Sequence, residues 1–495
     1  MLSLLRLAAL ALLLLPGATG VRAAVECARL FTDHLVLQRD RPAPVWGTAD
    51  PGEPVIVEFA GQRHETVADA AGRWRVTLAP LAASFEPRAL AVRGAANALV
   101  FSDVLVGEVW FCSGQSNMEK PVGAMARQRP TTDHELDLLT AHQPALRLFN
   151  VPRTDRKQDE PAQLRWLPTT PAALRDSRFS AAAYHFGRVL QHALGVPVGL
   201  IHASFGGTRI EAWMPVEAFA DPELAGLDRQ TYPAWVQGVQ PTELFATMVR
   251  PCAPYALRGF LWYQGETNLM ANDTALYARK QSALIAAWRR AWESPDAAFL
   301  GVLLPPFIYS TWDKLECGPD SLAAFREAQR AALSAPGTGF VVIDDLVDDV
   351  RDIHPVAKRG VGERLARLAL HDTYGHRDLA ARGPAFASLA LDGATAAVTF
   401  DHAARLLTRD GTPPRHFLLA GADRVFRPAT AKIDGRRVLL SHSEVALPVA
   451  VRFGWDETAR PNLINEAELP AVPFRTDDWP LTALRRAEAG PGTAP

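Results

Sequence analysis

The stretch VLVGEVWFCSGQSNM, residues 104–118, changes character halfway along. From Val104 to Cys112 only Gly107 and Glu108 interrupt an apolar run, the composition of a strand covered on both faces. From Ser113 the residues are Ser, Gly, Gln, Ser and Asn, which no buried strand needs for stability. Four more short apolar runs follow: VGLIHAS (198–204), GFLWY (259–263), AFLGVLL (298–304) and GFVVI (339–343). Amphipathic stretches at about 180–195, 274–293, 320–334 and 356–371 separate them with helical spacing. Buried runs alternating with helices predict an α/β body built on a parallel sheet with crossover connections.

Outward from this body, both flanks read as β. Before it, PVIVEF (54–59) and the alternation of Trp74, Val76 and Leu78 with Arg73, Arg75 and Thr77 are separated by turn residues such as DPGE (50–53). After it, Asp392-Gly393 and Asp434-Gly435 sit between alternating segments as hairpin signals. The first residues carry Arg6, a leucine-rich run from Leu7 to Leu15, a Pro-Gly break and small residues around Ala23. That run is shorter than the roughly 18 residues a spanning helix needs, so it reads as a signal peptide and an exported protein, periplasmic or secreted. The reading divides the chain into a signal peptide (1–23), an N-terminal β-rich domain (24–103), the α/β domain (104–380), a C-terminal β-rich domain (381–480) and a flexible tail (481–495).

Composition is that of a globular protein, with 48% hydrophobic and 21% charged residues. Removing residues 1–23 takes away two cations and no acid, moving the formal charge from −2 to −4, which is no nucleic-acid binder's balance. Cys27, Cys112, Cys252 and Cys317 fit no zinc spacing, and Cys112 inside its apolar run reads as an inert buried thiol.

Ligands of an open parallel sheet bind beyond the carboxyl ends of its strands, so the text after each run carries the chemistry. Those continuations are CSGQSNM, then SFGGTRIEAW (204–213), QGETN (264–268) and DDLVDDVRDIHP (344–355). Ser116 sits where a hydroxyl can be exposed on a tight turn, and a serine nucleophile requires a base. His354 is the candidate base, with Pro355 at a first-turn position of the following helix and Asp352, or alternatively Asp349, to orient the imidazole. Oxyanion donors are available in the N–H groups of Ser116 and of Gly206 or Gly207, with the side chain of Gln264 or Asn268 as a further donor. Gln115, Asn117, Arg209, Glu211, Glu266 and Asn268 are candidate substrate-binding residues, Arg209 either as a bidentate partner for a carboxylate or equally as a structural ion-pair partner.

At these residues the sequence resembles the sialate O-acetylesterase family, a branch of the SGNH (GDSL-like) hydrolase superfamily. The resemblance runs through LFTDHLVLQRDRPAPVWGTADPGEPV (30–55), VLVGEVWFCSGQSNMEKPV (104–122), ASFGGTRIEAWMP (203–215), GFLWYQGETN (259–268), DIHPVAKRGVGERLA (352–366) and LPAVPFRTDDWP (469–480). It implies a three-layer α/β catalytic domain flanked by β-rich segments and metal-independent removal of acetyl groups from sugar hydroxyls, with no cofactor. By that resemblance Ser116 is the nucleophile, His354 the base, Gly207 or its neighbour an oxyanion donor, and Gln264 the counterpart of the superfamily's oxyanion asparagine. The superfamily commonly shows Asp-x-x-His, whereas position 351 here is Arg and the carboxylate is Asp352.

The substrate expected is an O-acetylated carbohydrate, sialate first, with acetylated xylan or xyloglucan as the alternative. A non-catalytic carbohydrate-binding protein is the rival from another class, and the retained Ser116, His354 and oxyanion candidates argue against it. A metal-dependent deacetylase lacks its motif, since no HExxH occurs.

Overall fold

The computed structural model describes residues 24–125, 128–153, 164–230, 238–311 and 317–480. The signal peptide and tail readings, 1–23 and 481–495, lie outside these residues. The central sheet is made of β1 (Ala98–Gly114), β2 (Gln143–Asn150), β3 (Leu167–Thr169), β4 (Val198–Ser204), β5 (Gly259–Tyr263), β6 (Ala298–Val302) and β7 (Thr338–Val341), in the order β3-β2-β4-β1-β5-β6-β7. All pairs are parallel except β3 with β2. The chain builds one side of β1 first and then the other, so the strand order reverses at β1. A crevice opens there at the carboxyl ends, and Ser116 follows directly.

Helices cover both faces. On one side α2 (Ala181–Leu194) packs against α6 (Lys358–Asp372), and their buried residues join Trp110, Cys112, Leu200 and Leu261 in one core. On the other, α4 (Thr274–Ala291) and α5 (Ser321–Ala332) bury Trp288 and Phe325 against Phe111, Phe260, Trp262 and Phe299. Trp288 lies edge-on to Phe111 and Trp262 at 5.5 Å from each, contacts worth about 0.5–1.5 kcal/mol apiece beyond area burial. The predicted helices and all five strand runs are present, and Cys112 is fully buried and in no disulfide.

The N-terminal β segment differs from the expectation at its boundary. β1 is 17 residues long and runs through residues 103 and 104. Its first half pairs with Ser84–Arg93, and its second half is the middle of the central sheet. One apolar core therefore joins Val45, Trp74 and Val92 to Phe111 and Trp288. Buried Glu108 ties the two parts again, accepting from Arg39 at 2.5 Å and from Arg258 at 3.0 Å. The C-terminal segment has its own core of Val398, Phe400, Leu419 and Phe453 between two four-stranded sheets. Both Asp-Gly hairpins form, with Gly393 and Gly435 at positive φ. No helix among the described residues is long and apolar enough to cross a membrane.

Candidate active site

The end of β1 explains why the text after Cys112 is what it is. Gly114 has φ +149°, and a Cβ there would meet the Tyr263 carbonyl oxygen at 2.1 Å, so only glycine lets β1 and β5 run this close. Gln115 is extended, its N–H donating to that same carbonyl at 3.0 Å. Its side chain bridges to the turn after β5, accepting from Gly265 and Thr267 N–H and donating to Thr267 Oγ1. The chain then turns into the short helix α1 (Ser116–Glu119). Ser116 opens it, so its N–H has no intrahelical acceptor.

His354 approaches from the loop before α6. Its Nε2 lies 2.9 Å from Ser116 Oγ, within the distance at which an imidazole takes a hydroxyl proton. Asn117 holds the loop in place: Nδ2 donates to the Ile353 carbonyl at 2.9 Å and to Glu266 Oε1 at 2.6 Å. On the far side, the turn after β4 brings Gly206 against Ser116; a Cβ on Gly206 would lie 3.2 Å from Ser116 Cβ and 2.9 Å from Glu119 Oε2. Glu119 Oε2 accepts the Gly206 N–H at 2.9 Å, and Arg153 pairs with the other carboxylate oxygen. Gly207 follows at φ +74°, its N–H donating to no acceptor among the described residues. Serine hydroxyl and imidazole thus meet at the switch point of the sheet, with the Gly206-Gly207 turn alongside.

Burial and the nearby ammonium groups of Lys358 and Lys120 push the His354 imidazole down to about 4, against a weaker upward pull from Asp352. The ring is therefore neutral and able to accept a proton at pH 7. Burial lowers His202 further, to about 3. Both groups have folded values below their unfolded value near 6.5, so between pH 6.5 and 4 the unfolded chain binds protons that the folded chain excludes. Stability should fall as pH falls through that window, by on the order of 3 kcal/mol for each histidine. Urea midpoints at pH 7 and pH 4.5 measure this, and equal midpoints would contradict it.

Several sequence candidates turn out to be committed elsewhere. Gln264 is fully buried and donates both amide hydrogens, to the Thr208 carbonyl at 3.1 Å and to Asn268 Oδ1 at 2.8 Å, while Tyr277 Oη donates to its oxygen. It has no hydrogen left for an oxyanion. Asn268 is likewise spent, accepting from Ile210 N–H and donating to Glu211 and Asp273. Glu211 is buried against Lys280 at 2.7 Å and Arg209 at 2.8 Å, and Arg209 also reaches Asp273. Arg209 is thus an internal ion-pair partner, the second of the two readings its sequence allowed. Gln115, Asn117 and Glu266 are buried and bind other protein groups, which makes them supports of the turn instead of substrate contacts.

The orienting carboxylate also differs from expectation. Asp352 Oδ1 is 3.9 Å from His354 Nδ1, beyond a hydrogen bond; it accepts the His354 backbone N–H at 2.9 Å, and its other oxygen takes Arg129 Nε at 2.8 Å. Asp349 pairs with Arg351. Asp352 therefore shapes the loop and supplies a field more than it grips the ring. Asp352→Ala is expected to lower kcat about 10–100-fold, short of the roughly 10⁴ lost when a hydrogen-bonded triad carboxylate is neutralised. A loss of 10⁴ in steady-state acetate release would put Asp352 on Nδ1 after all.

Glu119, Arg129 and Lys358 were not singled out from the sequence. Glu119 carries a signal, lying three residues after Ser116 on the same helical turn, and Lys358 lies four after His354; Arg129 has none. A cavity of about 870 Å³ opens beside the site at the ends of β2 and β4, lined among others by Glu119, Asn150, Arg153, Phe179, His202 and Ser204. Among the described residues no group of three or more His, Cys, Asp or Glu is placed to hold a metal ion.

Residues 106–371 match the family described as carbohydrate esterase, sialic acid-specific acetylesterase. The chain is 31% identical over 391 residues to sialate O-acetylesterase of Pongo abelii and 30% identical over 391 residues to that of Homo sapiens, covering 72% of this chain and 72% of the relative in each case. A carbohydrate acetylesterase from Xanthomonas citri, known as a crystal structure, superposes with a TM-score of 0.81 at 38% identity over 92% of this chain and 100% of that one.

Proposed function

The chain belongs to the carbohydrate esterase family of sialic acid-specific acetylesterases, and from that premise we propose that Ser116 and His354 carry out the hydrolysis of acetyl esters on sugar hydroxyls. Membership makes it a carboxylic ester hydrolase; the roles of its residues follow from the geometry. Ser116 Oγ attacks the acetyl carbonyl as His354 Nε2 takes its proton. The carbonyl oxygen becomes an oxyanion, for which the N–H groups of Ser116 and Gly207, neither donating to an acceptor among the described residues, are the proposed donors. As the carbon–oxygen bond to the sugar breaks, His354 returns the proton to the leaving sugar oxygen. Water, deprotonated by the same imidazole, then releases acetate from Ser116. The observation that carries this reading is the 2.9 Å contact between His354 Nε2 and Ser116 Oγ.

The curated relatives are named for sialate esters, which makes O-acetylated sialic acid the first substrate to try. One observation favours a neutral acetylated polysaccharide such as xylan or xyloglucan instead: the arginines around the site, Arg129, Arg153 and Arg209, are each paired with a protein carboxylate. The leader-like pattern of residues 1–23 supports an exported protein, acting in the periplasm or outside the cell. Acetate release by the purified protein from O-acetylated sialic acid, acetylated xylan and acetylated xyloglucan tests the reading. Release from at least one is expected, and the ratio of kcat/KM values assigns the sugar; release from none would refute the acetylesterase.

A further inference from the structure

Lys358 is fully buried at the start of α6, yet it forms no ion pair among the described residues. Its Nζ donates to Asn117 Oδ1 at 2.6 Å and lies 4.8 Å from the centre of the Tyr263 ring. A buried ammonium with no carboxylate in ion-pair contact is costly, and a methionine would fill a similar volume without that cost. The hydrogen bond it makes therefore has to matter to something nearby.

Asn117 is the residue next to the nucleophile, and its amide is ambiguous until one end is fixed. Lys358 occupies the oxygen, so the nitrogen must face Glu266 Oε1 at 2.6 Å and the Ile353 carbonyl at 2.9 Å. Ile353 is the residue next to the base. One side chain thus couples the neighbour of Ser116 to the neighbour of His354, and a lysine four residues beyond His354 locks that coupling, with Pro355 stiffening the chain between them. Resting on the acetylesterase reading above, we propose that Lys358 is a positioning residue for the hydrolysis, which through Asn117 fixes the spacing of His354 from Ser116.

The same lysine acts on the imidazole through its charge. The charged groups facing His354 are Lys358, Lys120 and Asp352, the last paired with Arg129; the two lysines oppose protonation of the ring and Asp352 favours it. Burial and Lys120 bring Lys358 itself down to about 7, against the upward pulls of Glu266 and Asp352, so it is cationic throughout the acid range in which His354 would otherwise gain a proton. Removing the cation lets the ring protonate at higher pH. A lysine that merely filled space would leave the pH profile where it was.

The test compares the full chain with Lys358→Met and Asn117→Asp on one acetylated substrate from pH 3.5 to 8. For Lys358→Met, kcat should fall roughly 10–100-fold with KM within about threefold, as expected when reacting groups are slightly misplaced. The acid limb of kcat/KM should move up by about one pH unit. Asn117→Asp keeps the partner of Lys358 but loses the donor to Ile353, so kcat should fall in a similar proportion; this variant also decides the matter if Lys358→Met does not fold. Values of kcat within twofold of the parent in the variants that fold, with an unmoved acid limb in Lys358→Met, would overturn the proposal. A parent protein that releases no acetate would overturn the acetylesterase reading instead, so the two failures are told apart.

Discussion

Ser116→Ala is expected to lower kcat for acetate release by at least about 10⁴-fold while leaving the fold intact. The hydroxyl is the group in contact with the imidazole that can form a covalent acyl intermediate. Its removal leaves the oxyanion donors and the binding surface, which by themselves give a residual acceleration of about 10³–10⁴-fold over water, far below that of the intact site. The side chain is half-buried at the first position of a short helix, and alanine is at least as favourable there as serine. An unchanged thermal midpoint together with lost activity would separate chemistry from stability. Loss of activity with a large drop in midpoint would instead give Ser116 a structural role.

His354→Ala should lose a comparable factor, and the Ser116→Ala/His354→Ala double variant should lose no more than either single one. The two side chains act as one unit across 2.9 Å, so removing either removes the proton transfer that makes the serine nucleophilic. Multiplying losses in the double variant would mean that the residues act independently, which their contact contradicts. His354→Ala also removes one of the two histidines held neutral by partial or full burial, so it should keep more of its stability at pH 4.5 than the parent does. Activity and acid stability would then move in opposite directions in a single variant.

The parallel sheet was legible because strands buried on both faces leave unbroken apolar runs, and each such run became a strand. β2 was not, because QPALRLFN begins with Gln and Pro and carries Arg147, a buried residue whose Nη1 pairs with Asp103 at 2.7 Å. That a strand runs across the boundary drawn after residue 103 was hidden for a related reason. The first half of β1 alternates in exposure and the second half is wholly buried, so one continuous strand reads as two different kinds. Ser116 and His354 stood out because each follows an apolar run in text with no structural excuse. Gln264, Glu211, Asn268 and Arg209 stood out for the same reason, but their polar atoms satisfy one another. Sequence spacing cannot distinguish a polar group aimed at a ligand from one aimed at its neighbour. That difference appears only once the hydrogen bonds are followed atom by atom.

The most direct measurement is covalent capture by a fluorophosphonate probe, read by peptide mass spectrometry on the parent, Ser116→Ala and His354→Ala proteins. A single adduct on the peptide bearing Ser116, absent in Ser116→Ala and slowed by orders of magnitude in His354→Ala, is the predicted result. An adduct on another residue, or labelling of Ser116 at an unchanged rate without His354, would contradict the nucleophile and base assigned here.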